Sequence, residues 1–599
     1  MNITAMSLSY FNKSGEQNDQ ADLVAVKATM QVIQNHLLNI GTFFTLTLCC
    51  RNQHTCKFFN NLLEKLFHMW GMSMVRFVVL KENSTERVGG DRRSNLIMTD
   101  SFKAFREIHI ASYTSRNNYN EFYYIFLQIR DAYLQENLQQ IFEYCWAHSM
   151  INCSVQVQNS HGDITVYSYF PFTNHYCAHV EPVIINRFNG TDFERPLLFP
   201  LKLKNFHGCA LRAALQHIPP FVYLDTDAQG NSRIVGGIEG HLLKQLSKLL
   251  NFTIEIKTPQ EKRYHVDAVG LLEKDEVDIT LGCFSQTSAL MAVASYVTSY
   301  YQTSQVLCVS RQAYALNSLE AFTTPFDGTI WLLTSLTAIL CWALCFALSK
   351  YWRHSFERRM QTFLNFLAVL LGMSITHTPY MLQGRLLFIT WLCFTLLIRS
   401  IYQGVLFTYA HRSTIVSIPT DFEELVELNF TVVMSSVNKR LLSDVPLMQK
   451  LPSITTTRLD GVSAFDYIRH ESKRNYVAVG PLDFLLFYEL MHNKTGHFVV
   501  MSKDLLNFQI TMYLQKHSYL IDQFEHEIWW IRSAGLISGW TLNEVGEMKI
   551  AKDEKKIEVI HLQDLSAIFY MFVIGMLASL AVFALEMLSL RLKPLRSVF

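Results

Sequence analysis

The chain has 599 residues, too many for one compact core and enough for three or four domains of roughly 100–200 residues each. Half of its residues are hydrophobic and 17% are charged, against about 25% charged in ordinary soluble domains, which excludes a disordered chain. Fifty-two basic against 51 acidic residues give a net charge of +1, so the basic excess on which nucleic-acid binding relies is missing, and a mean hydropathy of +0.12 fits a soluble part joined to a few membrane segments.

Residues 1–20 are polar and lack the apolar core of a secretory signal, which implies an incomplete start or an unusual targeting route. In 1–199 the patterning predicts helices at 21–38 and 60–69 and strands at 42–49, 76–80, 121–127 and 164–170, a third unit of α/β character. The stretch 200–325 reads as α/β as well. A strand and a Pro219-Pro220 turn occupy 205–224. Leu242, Leu243, Leu246, Leu249 and Leu250 then make one apolar face of a helix, followed by a strand at 252–256, a helix end at 271–276 and a strand at 277–281.

Next come the membrane segments. A spanning helix needs about 20 mostly apolar residues to cross about 30 Å of hydrocarbon. Residues 328–348 carry no charge, 386–410 carry one arginine, and 565–585 (a helix extended to 590) carry none. Residues 362–384 also lack Asp, Glu, Lys and Arg, but 363–372 is apolar for only two to three turns before a polar stretch broken by Pro379. That pattern predicts a re-entrant loop, which survives at membrane depth only where it is buried in protein or lines water; a short tilted span is the alternative.

Between these segments, 411–564 repeats the α/β pattern, with strands at 430–434 and 476–479, a helix at 482–492, and a stripe of Leu520, Phe524, Ile528 and Ile531. Two α/β segments around a membrane module predict one bilobed domain interrupted by that module, with a small-molecule ligand in its cleft.

Charge sets the orientation. Lys350, Arg353, Arg358 and Arg359 face a single acid, Glu357, in loop 349–361, and Arg591, Lys593 and Arg596 lie in tail 591–599 without one. The positive-inside rule puts both in the cytoplasm, and 1–325 and 411–564 outside. The sequons at Asn2, Asn12, Asn83, Asn152, Asn189, Asn251, Asn429 and Asn493 all fall in those outer segments. Nine of the twelve cysteines also lie there, an odd number whose connectivity the sequence leaves open.

The order of lobe, span, re-entrant loop, span, lobe and span resembles the ionotropic glutamate receptors, and most closely the divergent members of the insect chemosensory branch. The stretches NFHGCAL (205–211), GIEGHLLKQLSKLLNF (237–252), DITLG (278–282), TSYYQT (298–303), Pro325-Phe326, LLG (370–372), Gly384-Arg385, Trp391 and RSIYQGVLF (399–407) carry the resemblance along 200–599. The family's short, variable amino-terminal region would be 1–199. The resemblance implies an extracellular ligand domain of periplasmic-binding-protein-like fold made of lobes 200–325 and 411–564, and a pore built from the loop and the segment 386–410.

Specific residues follow from it. Gly372, Met373 and Ser374 stand at the selectivity turn. Tyr402, Gln403, Gly404, Val405, Leu406 and Phe407 stand at the gate, where the glutamate-receptor motif SYTANLAAF reads SIYQGVLF. The arginine that grips an amino acid's carboxylate in glutamate-binding members would fall near Ala289-Leu290, where there is none, so the ligand is expected not to be glutamate. The second lobe's amine-binding acid would fall near Asp483, which could equally cap the helix that follows. The second-lobe disulfide is absent, since no cysteine follows Cys393.

Arg399 is the charge embedded in the third segment. It either lines a wet vestibule near the gate or snorkels to the outer interface. His492, His497 and His526 lack metal-ligand spacing, so no metal or cofactor is expected. No catalytic motif occurs in the context it needs, so no enzyme activity is expected. The expected function is a ligand-gated cation channel subunit of sensory-neuron plasma membrane, placed in dendrites and detecting chemical stimuli. It would work with co-receptor subunits in a hetero-tetramer. The alternative is a non-conducting receptor subunit that binds ligand and modulates a partner channel.

Overall fold

A computed structural model describes residues 19–40, 44–69, 93–107, 121–159, 162–228, 230–259, 264–310, 322–323, 325–351, 365–374, 382–411, 419, 422–443, 445–446, 448–456, 462–471, 475–492, 497–501, 505–546 and 566–591. The strand expected at 76–80 lies outside them.

The amino-terminal unit is one six-stranded sheet. Strands β1 (Thr45–Cys49), β2 (Ser94–Thr99), β3 (Phe122–Leu127) and β4 (Asn152–Gln158) run parallel, and β5 (Ile164–Ser168) and β6 (Val183–Phe188) extend it antiparallel. Side chains alternate across the sheet. Tyr123, Ile125 and Leu127 meet the helix Leu134–Ala147 on one face, while Tyr124 and Phe126 meet the helices Asp19–Val32 and Gln53–Met69 on the other. Coverage on both faces is why β3 reads as a continuous apolar run. A disulfide, Cys177–Cys209, ties this unit to the next, and Cys50–Cys56 closes a short loop within it.

The following segment contributes β7 (Ala210–Ala214), the hairpin β8 (Tyr223–Thr226) and β9 (Ser232–Gly236), β10 (Thr253–Lys257), β11 (Ile279–Thr280), β12 (Ser295–Tyr296) and β13 (Tyr301–Ser310). The segment after the long membrane-type helices contributes β14 (Thr431–Ser435), β15 (Ser453–Thr456), β16 (Tyr476–Pro481), β17 (Phe498–Val500), β18 (Leu506–Ile510) and β19 (Tyr513–Leu514). Each segment lends a strand to the other's sheet. The first sheet has the order β10–β7–β11–β19–β12, so β19 lies between two strands of the earlier segment. The second has the order β15–β14–β16–β13–β17, with β13 of the earlier segment between β16 and β17. The two lobes therefore fold as one interlaced unit, and the chain crosses between them twice, near 297–301 and near 510–513.

The apolar stripes fall as their spacing predicts except at Leu249, which the spacing puts on the same face but which lies at its margin and is 45% exposed. Leu242, Leu243, Leu246 and Leu250 of the helix Ile238–Leu250 are buried, and so are Phe524, Ile528 and Ile531 of the helix Ile521–Ser533. Gly237 shows why the chain has no side chain there. Its φ is +93°, and a Cβ would meet the Phe221 carbonyl carbon at 2.6 Å and the Val222 nitrogen at 2.8 Å.

The helices Gly328–Tyr351, Leu382–His411 and Ser566–Arg591 have 24, 30 and 26 residues, about 36–45 Å at 1.5 Å per residue. Among the described residues Leu382–Phe407 alone is apolar over a full crossing length, while Gly328–Leu344 and Ile568–Ala581 are shorter apolar runs. The first two helices are antiparallel: Trp331 lies 6.0 Å from Tyr402 between ring centroids, whereas Ala338 and Cys341 pack on the cluster around Trp391. Residues 365–371 form a short helix, as the apolar run at 363–372 predicts. It runs parallel to Leu382–His411, with Phe366 level with Phe388 and Trp391, and Gly372 level with Arg399.

Candidate functional site

The cleft opens where the chain crosses between the lobes. Tyr296, Thr298, Tyr300, Tyr301, Gln286, Gln509, Arg532 and Thr541 are among the residues around a cavity of about 900 Å³. A second cavity of about 460 Å³ shares Tyr301, Gln302 and Thr541 with it and reaches Thr303, Asp483 and Leu486. Together they form a trough along the hinge strands, walled among the described residues by aromatic rings, amides and hydroxyls with a single carboxylate.

The adjacent Tyr300 and Tyr301, just before and at the start of β13, hydrogen-bond to different acids. Tyr300 donates its hydroxyl proton to Glu239, a fully buried acid at the start of the helix Ile238–Leu250. The other oxygen of Glu239 accepts from the Cys283 N–H at 2.7 Å. Burial pushes the Glu239 carboxyl up to about 7, against hydrogen bonds from Tyr300 and from the Cys283 and Gly282 backbone, which lower it. Tyr301 donates to Asp483 Oδ1 at 2.5 Å.

Asp483 is 6% exposed and sits in the first turn of the helix Leu482–Met491. It does not cap that helix. The residue at the cap position is Pro481, and no side chain closes a capping bond. The carboxylate turns toward the trough instead, and burial raises its pKa. Thr303 lies close enough to oppose that rise, yet neither Asp483 Oδ2 nor Thr303 Oγ1 completes a hydrogen bond of normal geometry among the described residues. A buried carboxylate oxygen without a donor is costly, and a ligand N–H or ammonium would supply one.

Ala289 and Leu290 fall on the short helix Ser288–Val293, capped by Thr287, at the edge of the trough. Arg532 from the later segment is the lysine or arginine that lines the trough among the described residues, and it donates to the Ser299 carbonyl at 3.1 Å. Sequence reasoning missed Arg532 and the tyrosine pair. The TSYYQT stretch held the one available signal, two adjacent tyrosines at the entry to a strand.

The pore-type residues lie elsewhere. Gly372 ends the short helix with φ +81°, and a Cβ there would meet the guanidinium carbon of Arg399 at 2.8 Å, with a terminal nitrogen closer still. Leu371 and Met373 beside it are 66% and 65% exposed, and Ser374 is exposed. Arg399 is half-buried against the turn. Tyr402 donates to the Phe322 carbonyl at 3.0 Å and packs on Phe326 at 5.5 Å, which ties the gate-type stretch to the linker leaving the first lobe. Gln403, Gly404 and Phe407 are exposed, and Val405 and Leu406 half-buried, on the same helix.

Of the sequons, Asn189, Asn251 and Asn429 are exposed, the last two with positive φ. Asn152 is half-buried at the start of β4, and Asn2, Asn12, Asn83 and Asn493 lie outside the described residues. Among the described residues no group of three or more His, Cys, Asp and Glu side chains is placed to hold a metal.

Residues 15–205 match a family model described as "Putative ionotropic receptor, ligand binding domain", a region that coincides with the amino-terminal unit and its exit. A duck (Anas platyrhynchos) protein named "Probable glutamate receptor" is 24% identical over 288 residues. The match covers 44% of this chain and 52% of the duck protein, so the chain spans about half the length of that relative. Both similarities support a receptor related to the ionotropic glutamate receptors, and neither name speaks of insects or of chemosensation.

Proposed function

We propose that the chain is a subunit of a ligand-gated cation channel that detects chemical stimuli in sensory neurons and works with co-receptor subunits in a hetero-tetramer. One observation carries the reading. The two segments flanking the helices Gly328–Tyr351 and Leu382–His411 fold into a single interlaced unit, so both must lie in one compartment. The chain between them therefore crosses a membrane an even number of times. Two antiparallel long helices supply those crossings, and the helix 365–371 supplies none: it rises beside Leu382–His411 to the level of Arg399. From there Leu382 lies about 25 Å back at 1.5 Å per residue, a distance that the eight steps from Ser374 can span at about 3.3 Å each. This geometry favours the re-entrant reading of 362–384 over a tilted span.

In this reading 200–325 and 411–564 are the extracellular lobes, 1–199 lies outside with them, and 349–361 and 591–599 lie in the cytoplasm. Exposed Asn189, Asn251 and Asn429 are glycan acceptors. The helix Ser566–Arg591 turns apolar side chains outward along its described length, which suits contact with lipid. A small ligand bearing a donor group binds the trough against Asp483. Lobe closure pulls the linker at Phe322–Phe326 and, through it, the gate at 402–407. Ligand can drive this only by the difference in its affinity for the closed and open lobes.

The test is whole-cell current from cells expressing the full chain with and without candidate co-receptors during a chemical screen. A ligand-evoked current that needs this chain supports the reading. A surface-expressed chain that alters a partner's current, with permeation unchanged across Met373 and Ser374 substitutions, supports the non-conducting alternative. Intracellular location of an epitope tag at 411–564 overturns both.

A further inference from the structure

The helix Leu134–Ala147 ends beside the start of β4, and two thiols meet there. Cys145 lies in the last turn of the helix, and Cys153 is the second residue of β4. A closed turn joins them: the Met150 N–H donates to the Cys145 carbonyl at 2.8 Å, and Ser149 takes a φ of +58°. The two sulfurs lie 3.6 Å apart in the core of the amino-terminal unit, where both residues are fully buried. A disulfide needs a separation of about 2.05 Å, so the sulfurs have about 1.5 Å to close, within the sweep of side-chain rotation. A buried cation completes the cluster. Lys202 Nζ donates to the Ile151 carbonyl at 2.6 Å and to the Cys153 carbonyl at 3.2 Å, and it lies 3.8 Å from the centroid of the Tyr169 ring. Burial pushes the Cys145 thiol up, and the Lys202 charge opposes that rise.

We infer that Cys145 and Cys153 are a modification site, closed as a further disulfide of the amino-terminal unit by a disulfide-bearing oxidant of the secretory pathway. This goes beyond the channel reading and rests on its placing of 1–199 outside the cell, since disulfides form and persist in oxidising compartments. The oxidant is an oxidoreductase disulfide or glutathione disulfide. One cysteine, as its thiolate, attacks a sulfur of that disulfide, a mixed disulfide forms, and one thiolate of the oxidant leaves. The other cysteine, as its thiolate, attacks the first cysteine's sulfur, and the oxidant's second thiolate leaves. The two protons given up by the cysteines end on the oxidant's two thiols; the pair loses two electrons and the oxidant gains them. The first step precedes the final docking of the helix, because afterwards neither sulfur is open to a reagent. The second takes place as the helix closes on the sheet, where the neighbouring Lys202 cation favours a thiolate. The same burial then shields the bridge from reductants. Three bridges use six of the nine cysteines in 1–325 and leave Cys49, Cys283 and Cys308 as thiols. The bridge also pins a docking residue. Trp146, next to Cys145, packs on Phe172 and on Tyr519 of the later segment, with centroids 5.8 and 5.0 Å away.

The experiment needs no substitution. The full chain is expressed in cells, denatured without reductant in the presence of an alkylating agent, and digested with chymotrypsin, which cuts after Trp146 between the two cysteines. Mass spectrometry then reads every cysteine as alkylated or bridged. In most copies of the chain the Cys145 and Cys153 peptides are expected to run as one linked species that separates only after reduction. The bridges Cys50–Cys56 and Cys177–Cys209 serve as the internal reporter of the compartment. If those two are closed while Cys145 and Cys153 are mostly alkylated, or paired with any other cysteine, this inference is overturned and the extracellular placing stands. If Cys50, Cys56, Cys177 and Cys209 are alkylated as well, the extracellular placing is overturned, and this inference with it.

Discussion

Tyr301 and Asp483 join the hinge to the second lobe: the tyrosine hydroxyl at the start of β13 donates to a carboxylate held in the first turn of the helix Leu482–Met491, at 2.5 Å. The bond spans 182 residues of sequence and fixes the acid's orientation toward the trough.

If Asp483 receives a ligand donor, Asp483→Asn weakens an amine-bearing ligand by tenfold or more, since hydrogen bonds to a charged partner are worth about 1.5–3 kcal/mol. Tyr301→Phe should weaken it less, because the carboxylate stays while its orientation loosens. Concentration–response curves at matched surface expression measure both. Equal, small shifts for the two variants would remove Asp483 from the ligand's contacts.

Glu239 makes stability depend on pH. Burial holds its carboxyl up to about 7, from an ordinary 4.5. Between those values the unfolded chain has released the proton and the folded one still holds it, so stability is full below about pH 4.5 and falls as pH rises toward 7, by on the order of 3 kcal/mol. Glu239→Gln imitates the protonated acid: its carbonyl can accept from Cys283 and its amide can donate to the Tyr300 hydroxyl. Thermal denaturation of the solubilised full chain at pH 5 and at pH 7.5 tests this. The variant should gain on the native chain at the higher pH only; parallel pH profiles would refute the role.

Much of the fold could be read from local patterning, because helices and strands answer to nearest neighbours. The stripes at 242–250, apart from Leu249, and at 520–531 report a 3.6-residue period that packing then satisfies, and the apolar run before Gly372 gave the short helix by its length. The exchange of β13 and β19 between lobes was not legible. Pairing of Tyr301 with Ile510, or of Ile279 with Leu514, joins positions more than 200 residues apart, and strand composition does not specify a partner. The same limit hid the site. Asp483 could be named only through the family resemblance, and its partner Tyr301 and its neighbour Thr541 come together only when the segments interlace. Glu239 gave no signal at all, since an acid in a helix's first turn ordinarily faces water and complements the helix dipole.

Close packing at two glycines gives a stability prediction. A Cβ on Gly480 would come within 2.6 Å of the Phe465 ring, so Gly480→Ala overpacks the second lobe, at about 1–3 kcal/mol. Gly237→Ala is the worse change, because its obstacle is backbone at Phe221 and Val222 and its φ is +93°, neither of which can yield by rotating a side chain. Melting curves should rank the native chain above Gly480→Ala and Gly480→Ala above Gly237→Ala. The reverse order would mean that the Phe221–Val222 turn relaxes more readily than the Phe465 ring.

In the proposed channel, Tyr402 offers the sharpest test of how lobe motion would reach the pore. Its ring packs on Phe326 and Trp331, with centroids 5.5 and 6.0 Å away, and its hydroxyl donates to the Phe322 carbonyl at 3.0 Å. The stretch Phe322–Phe326 is thereby attached to the helix Leu382–His411 through this side chain. Two contributions can be separated by mutation. Tyr402→Phe keeps the aromatic packing and loses one hydrogen bond, worth about 0.5–1.5 kcal/mol, so maximal ligand-evoked current should fall by no more than about tenfold. Tyr402→Ala removes the ring as well, at about 3–5 kcal/mol for truncating a large packed aromatic, an upper figure here because the ring is half-exposed, and should nearly abolish evoked current while surface amount and ligand binding persist. Bound ligand without current is the signature of a broken linkage, as distinct from a lost site. If Tyr402→Ala conducts like the native chain, the pull travels by another route, and the linker between Phe407 and the helix Phe422–Glu427 becomes the place to look for it.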